Sequence, residues 1–213
     1  MATAVKICGI TRVEDALAAA HAGAHAIGLI FADESPRRIS TAIARRIVEA
    51  LPPFVTPVAL FVDPRAAEVE RVIGEVGPQL LQFHGDETPD FCVRFDLPYI
   101  KVARVGPRVD LLQYAGRHRA AKGILLDAFM EGRHGGTGAT FDWSLIPTTF
   151  PLPLILAGGL DPDNVGDAVR RVRPWAVDVS SGVEAAKGIK DAAKIAAFIR
   201  GVRDADVRGP KGL

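Results

Sequence analysis

Short apolar runs and amphipathic stretches take turns along this chain. The segment Val5-Lys-Ile-Cys-Gly-Ile-Thr11 begins as a strand, because β-branched Val5 and Ile7 alternate with Lys6 and Cys8, and it breaks at Gly9. A helix follows over 13–22, with Val13, Ala16, Leu17 and Ala20 on one face and Gly23 as its stop. A strand over 25–31 ends in Phe31. Ser40 is a good N-cap for the next helix, which carries Ile43, Ile47 and Leu51 on its buried side and ends before Pro52-Pro53. The third strand covers 56–62, Asp63-Pro64 caps and starts a helix built on Val69, Val72 and Ile73, and a fourth strand covers 79–84.

The alternation continues with a helix near 88–95, a strand over 98–103, a helical segment over 107–119, and a strand over 122–127 that ends in Asp127. A long polar loop over 131–142 precedes a strand over 152–156. Asp161-Pro162 opens another helix, and the strand over 175–179 runs into Ser180-Ser181-Gly182. An amphipathic helix over about 190–202 closes the pattern. Eight strands joined by helical crossovers, with no hairpin signal, predict a parallel sheet, and the number eight predicts closure. The expected fold is an α/β single-domain TIM (β/α)₈ barrel over residues 1–213, at the short end of that fold's range. An open doubly wound sheet has less support, since no Gly-x-Gly-x-x-Gly follows the first strand.

Composition narrows the ligand. Among 213 residues, Lys and Arg number 26 against 25 for Asp and Glu, so no basic field attracts nucleic acid and an anion must be met by local donors. That favours a small molecule. No run of eighteen apolar residues could cross a bilayer, and no charged-then-apolar leader opens the chain. Two cysteines, eighty-four positions apart, form neither a disulfide framework nor a zinc cluster, and a reducing cytoplasm is the expected compartment. Cys92, among Phe91, Val93 and Phe95, reads as core.

In a closed barrel the strand carboxyl ends share one mouth, where active sites of this fold sit. Cys8 lies there, two residues beyond Lys6 on the same face; its alternative is an ordinary buried thiol. Gly158 and Gly159 let backbone amides approach an anion, and Ser180, Ser181 and Gly182 add hydroxyls and amides. Loops after strands seven and eight often hold phosphate, though glycines also make plain tight turns. Asp127 points inward with Leu125 and needs a task or a partner, Lys6 and Lys101 being candidates. Because strand eight adjoins strand one on closure, Lys6 is expected to pair with Asp178, leaving Asp127 free. Arg37 and Arg38 occupy an exposed loop, and one of them can clamp a carboxylate. His84 stands at the mouth, but the scattered candidates make a metal site improbable: no metal is expected.

With these residues assembled, the chain resembles the phosphoribosylanthranilate isomerase family of tryptophan biosynthesis. The resemblance rests on Lys6-Ile-Cys-Gly-Ile-Thr11, Ser35-Pro-Arg-Arg-Ile-Ser40, Leu51-Pro-Pro, Gln82-Phe-His-Gly85, Leu125-Leu-Asp127, Gly135-Gly-Thr-Gly-Ala-Thr-Phe-Asp-Trp143, Ala157-Gly-Gly-Leu160 and Val177-Asp-Val-Ser-Ser-Gly-Val-Glu184. It implies a (β/α)₈ barrel with Cys8 as general base, Asp127 as general acid and Arg37, rather than Arg38, on the substrate carboxylate. The implied reaction is an acid/base Amadori rearrangement of N-(5′-phosphoribosyl)anthranilate, with no cofactor and with a phosphorylated small molecule as the only ligand. A monomer and a homodimer both fit. Such chemistry asks for a protonated Asp127, kept so by burial, and an available Cys8 thiolate, helped by Lys6.

Overall fold

The computed structural model describes residues 2–106, 109–128 and 142–207. Eight strands, β1 (Ala4–Cys8), β2 (Ala26–Ile30), β3 (Thr56–Phe61), β4 (Leu80–Phe83), β5 (Tyr99–Val105), β6 (Gly123–Ala128), β7 (Leu154–Leu156) and β8 (Ala176–Val179), pair in parallel and close in chain order. The seam sets Lys6 opposite Asp178. The barrel expected from the sequence is the fold observed.

Among the described residues seven α-helices surround it: α1 (Val13–Ala22), α2 (Thr41–Ala50), α3 (Ala66–Val76), α4 (Pro89–Val93), α5 (Leu111–Arg117), α6 (Val165–Val172) and α7 (Ala192–Val207). Covered outside by helices and filled inside by side chains, the strands are apolar on both faces. Ile100, Val102, Leu125, Ile155 and Ala157 pack together in the interior. Their neighbours of opposite parity face the helices, where Phe61 stacks on Phe31 and Phe83 with centroids 5.6 and 6.2 Å apart, and Phe83 meets Phe91 of α4 edge-on. Ser40, Thr88 and Asp110 each accept a backbone N–H in the first turn of the helix they precede.

Several local expectations are corrected. Asp63 does not cap α3, which starts at Ala66 after Arg65; its carboxylate instead accepts the Asp86 amide at 2.6 Å, tying the turn after β3 to the turn after β4. Asp161 accepts the amides of Asp163 and Asn164, closing a turn ahead of α6 rather than its first turn. Ile43 is exposed, because α2 sends Ala44 and Ile47 to the core. A hairpin also exists. β9 (Glu184–Ala186) and β10 (Ile189–Lys190) pair antiparallel around Lys187 and Gly188, with strands too short for alternation to be visible. The last helix therefore starts at Ala192, not 190.

Between β6 and β7 the described residues hold only a 3₁₀ turn, Trp143–Leu145. All of the polar loop over 131–142 but Asp142, and all of the glycine-rich motif from Gly135 but Asp142 and Trp143, lie outside the described residues, as do 107 and 108. Among the described residues no helix is long and apolar enough to cross a membrane.

Candidate active site

Strand polarity brings the candidates together. Cys8 ends β1 and Asp127 stands near the end of β6, with β7 and β8 between them on one side of the barrel and β2 to β5 on the other. Both line one cavity at the carboxyl mouth, with Arg37, His84, Gly158, Gly159, Ser180 and Ser181. Gly182 stands outside this lining: a Cβ there would strike the Leu160 carbonyl, so the glycine lets the turn after β8 pack on the turn after β7. Gln82 and Asp178 line the cavity too, and the sequence reading gave neither a ligand role.

The thiol has room because its neighbour has no side chain. Gly28 pairs with Cys8 across β1 and β2, and a Cβ on it would lie 2.6 Å from Sγ. Lys6 Nζ meets Asp178 Oδ2 at 2.7 Å, with both side chains 7% exposed, as expected from the seam. Burial would lower the Lys6 pKa, but the Asp178 charge, with Cys8 adding to it, raises it overall. Cys8 departs from expectation. Burial pushes its thiol up and outweighs the downward pull of Lys6, so the resting site favours the thiol.

Asp127 is buried, and its Oδ1 accepts the Ala128 amide at 2.9 Å. His84 Nε2 lies 3.3 Å from Asp127 Oδ2 without the alignment of a hydrogen bond. The alternative partners for Asp127 are taken: Lys6 holds Asp178, and Lys101 holds Glu87 at 2.9 Å on the opposite strand face. Buried Oδ1 of Asp178 and Oε1 of Gln82 have no protein hydrogen-bond partner, so the cavity wall carries unspent acceptors.

Arg37 is not the exposed loop cation expected. It is buried, and its Nε and Nη2 bond the two carboxylate oxygens of Glu184 at 2.6 and 2.8 Å. The fit requires Gly9, whose φ is 73° and whose hypothetical Cβ would come 2.6 Å from Arg37 Cδ. Only the other edge of the guanidinium is left for a ligand. Arg38 is the solvated one, paired with Asp33 at 2.9 Å. Hydrogen bonding to Glu184 raises Arg37; Glu184, despite burial, is held below its ordinary value by Arg37 and Lys190. Glu184 and Lys190 were the residues sequence reasoning passed over. Glu184 stood in a quoted motif without a task, and Lys190 was taken for the start of a helix.

Among the described residues no group of three His, Cys, Asp or Glu side chains is placed to hold a metal ion. The cavity lining itself supplies a thiol, two carboxylates, an imidazole and one edge of a guanidinium.

The model of the N-(5′-phosphoribosyl)anthranilate isomerase family matches residues 5–201. The chain belongs to that family of enzymes. An N-(5′-phosphoribosyl)anthranilate isomerase of Nitrosospira multiformis is 61% identical over 202 residues, covering 95% of this chain and 97% of that one. One from Pseudomonas aeruginosa is 58% identical over 202 residues, covering 95% and 96%. Among solved structures, the phosphoribosylanthranilate isomerase of Thermotoga maritima superposes with a TM-score of 0.87 at 42% identity, covering 95% of this chain and 99% of that one. Another structure of such an isomerase holds reduced 1-(o-carboxyphenylamino)-1-deoxyribulose 5-phosphate; it is 40% identical, with a TM-score of 0.84 and coverage of 95% and 99%. A further Thermotoga maritima structure is of monomers generated from a dimeric form.

Proposed function

We propose that this chain converts N-(5′-phosphoribosyl)anthranilate into 1-(2-carboxyphenylamino)-1-deoxyribulose 5-phosphate by an acid/base Amadori rearrangement, in tryptophan biosynthesis. The observation that carries the reading is the placement of Cys8 and Asp127 on opposite walls of one cavity, with the turns of Gly158-Gly159 and Ser180-Ser181 at its rim. The analogue held by a relative of the same fold supports the choice of ligand.

In this reading the phosphate meets the turns after β7 and β8, where amides and hydroxyls converge, and the anthranilate carboxylate meets the free edge of Arg37. Asp127 gives a proton to the furanose ring oxygen as the C1′–O bond breaks, and the nitrogen lone pair forms the C1′=N bond of a protonated imine. Cys8, as thiolate, then removes the C2′ proton, and that electron pair becomes the C1′=C2′ bond of an enolamine. Tautomerisation moves hydrogen from the 2′-oxygen to C1′ and leaves the ketone. The proton Asp127 gives is matched by the one Cys8 takes, and proton exchange with solvent restores both groups, so the rearrangement needs no co-reactant. Gln82 and Asp178 offer acceptors to the sugar hydroxyls, and His84 lies against the acid.

The test is loss of anthranilate fluorescence on adding the chain to freshly formed substrate, with and without EDTA. Turnover insensitive to EDTA is expected, and Cys8→Ala and Asp127→Asn should each lower kcat by about 10²–10⁴. Near-full turnover in both variants would discard the mechanism.

A further inference from the structure

Lys190 is a charged side chain with no exposure that does not line the cavity and that the proposed chemistry does not use. A cation so buried needs partners, and it has them. Its Nζ donates to the Ser180 carbonyl at 3.0 Å, to Ser180 Oγ at 3.4 Å and to Glu184 Oε1 at 3.0 Å. Ser180 belongs to the anion turn after β8, and Glu184 holds Arg37. One ammonium thus joins the two places where the substrate's two anionic ends would bind. Its backbone is fixed as well: the Lys190 amide donates to Asp15 of α1 at 3.1 Å, Lys194 of α7 donates to the Glu184 carbonyl at 2.9 Å, and Thr11 donates to the Gly188 carbonyl.

We propose that Lys190 is a positioning residue, which holds the Ser180 turn and, through Glu184, the guanidinium of Arg37 at the spacing that a ligand with a phosphate and a carboxylate requires. This rests on the reading above. The cluster of Arg37, Lys190 and Glu184 carries one positive charge in excess under the mouth, a field suited to a ligand with two anionic ends. The same charge acts on Cys8. Lys6 of β1, Asp178 of β8 and Arg37 of the turn after β2 also act on that thiol, and His84 and Asp127 line the same cavity. Lys190 is among the cations that oppose its burial.

The experiment compares Lys190→Met, Lys190→Gln and Lys190→Arg by two readouts, steady-state kinetics on phosphoribosylanthranilate and the pH profile of iodoacetamide alkylation at Cys8. Cys92 does not interfere, being fully buried with its thiol pushed up to about 12. For Lys190→Met the expected result is a KM raised by about tenfold or more, with a smaller fall in kcat, and slower alkylation of Cys8 at a fixed neutral pH. Lys190→Gln keeps a donor for Ser180 without the charge, so it should recover part of the KM and none of the alkylation rate. Lys190→Arg should recover the alkylation profile. Should thermal melting show Lys190→Met unfolded, Lys190→Gln carries the alkylation test with the same expectation. A folded neutral variant with the wild-type KM overturns the proposal, and one with a raised KM but the wild-type alkylation profile confines the role of Lys190 to positioning. Absence of turnover by the unmodified chain would instead overturn the functional reading, and the alkylation comparison would still judge the lysine.

Discussion

Lys6 Nζ stands 2.7 Å from Asp178 Oδ2 across the seam where β1 meets β8, so a contact beside the thiol of Cys8 also closes the barrel. The pair is buried on both sides. A pair of this kind gives little net stability over an apolar pair, but removing one partner strands a charge.

Lys6→Met alone and Asp178→Asn alone are therefore expected to destabilise the fold by about 3–5 kcal/mol, and the double variant by less than the sum of the two. Urea unfolding followed by circular dichroism measures this. Additive losses would mean that the two charges act independently.

Stability should fall on the acid side through Glu184. Its folded pKa lies below the ordinary 4.5, so its contribution is present above that value and is lost as pH drops through the folded one. On the alkaline side Lys6, raised above 10.5, contributes below that value and loses its share as pH climbs through the raised one. Urea midpoints measured across pH should show the acid limb, and Glu184→Gln should flatten it.

Arg37→Lys keeps the charge but cannot satisfy both oxygens of Glu184 while offering a second edge to a carboxylate. A KM about 10- to 100-fold higher is expected, with a lesser change in kcat. Equal falls in kcat and kcat/KM, at unchanged KM, would place the guanidinium in the transition state only.

Gly28→Ala introduces a methyl group 2.6 Å from Sγ of Cys8, so the thiol must move. A displacement of that kind costs on the order of 10² in kcat, and crowding of Cys8 Cα and Cβ at 3.1 and 3.2 Å should lower stability by about 1–3 kcal/mol as well. Full activity would show that the proposed role of Cys8 does not depend on this orientation.

The strands, their order and the parity that points Lys6, Cys8 and Asp178 inward were legible because period-two and helical patterns are local properties of the chain. The same logic predicted the Lys6–Asp178 pair, since closure in chain order makes the last strand a neighbour of the first. Helix caps were legible where the side chain had no competing partner, as at Ser40. Asp63 failed because a distant amide, that of Asp86, claimed its carboxylate.

Sequence order also sufficed to gather Cys8, Asp127, Arg37 and the turns after β7 and β8 at one mouth, because a parallel barrel puts every strand's carboxyl end on one face. What each group meets there was decided by tertiary packing. Burial outweighs Lys6 at Cys8, Glu184 turns Arg37 from a loop cation into a fixed fork, and Lys190 arrives on a hairpin whose strands are too short to signal themselves. Patterns along a chain report which face a residue takes; desolvation and charge pairing depend on neighbours that only folding brings within a few ångströms.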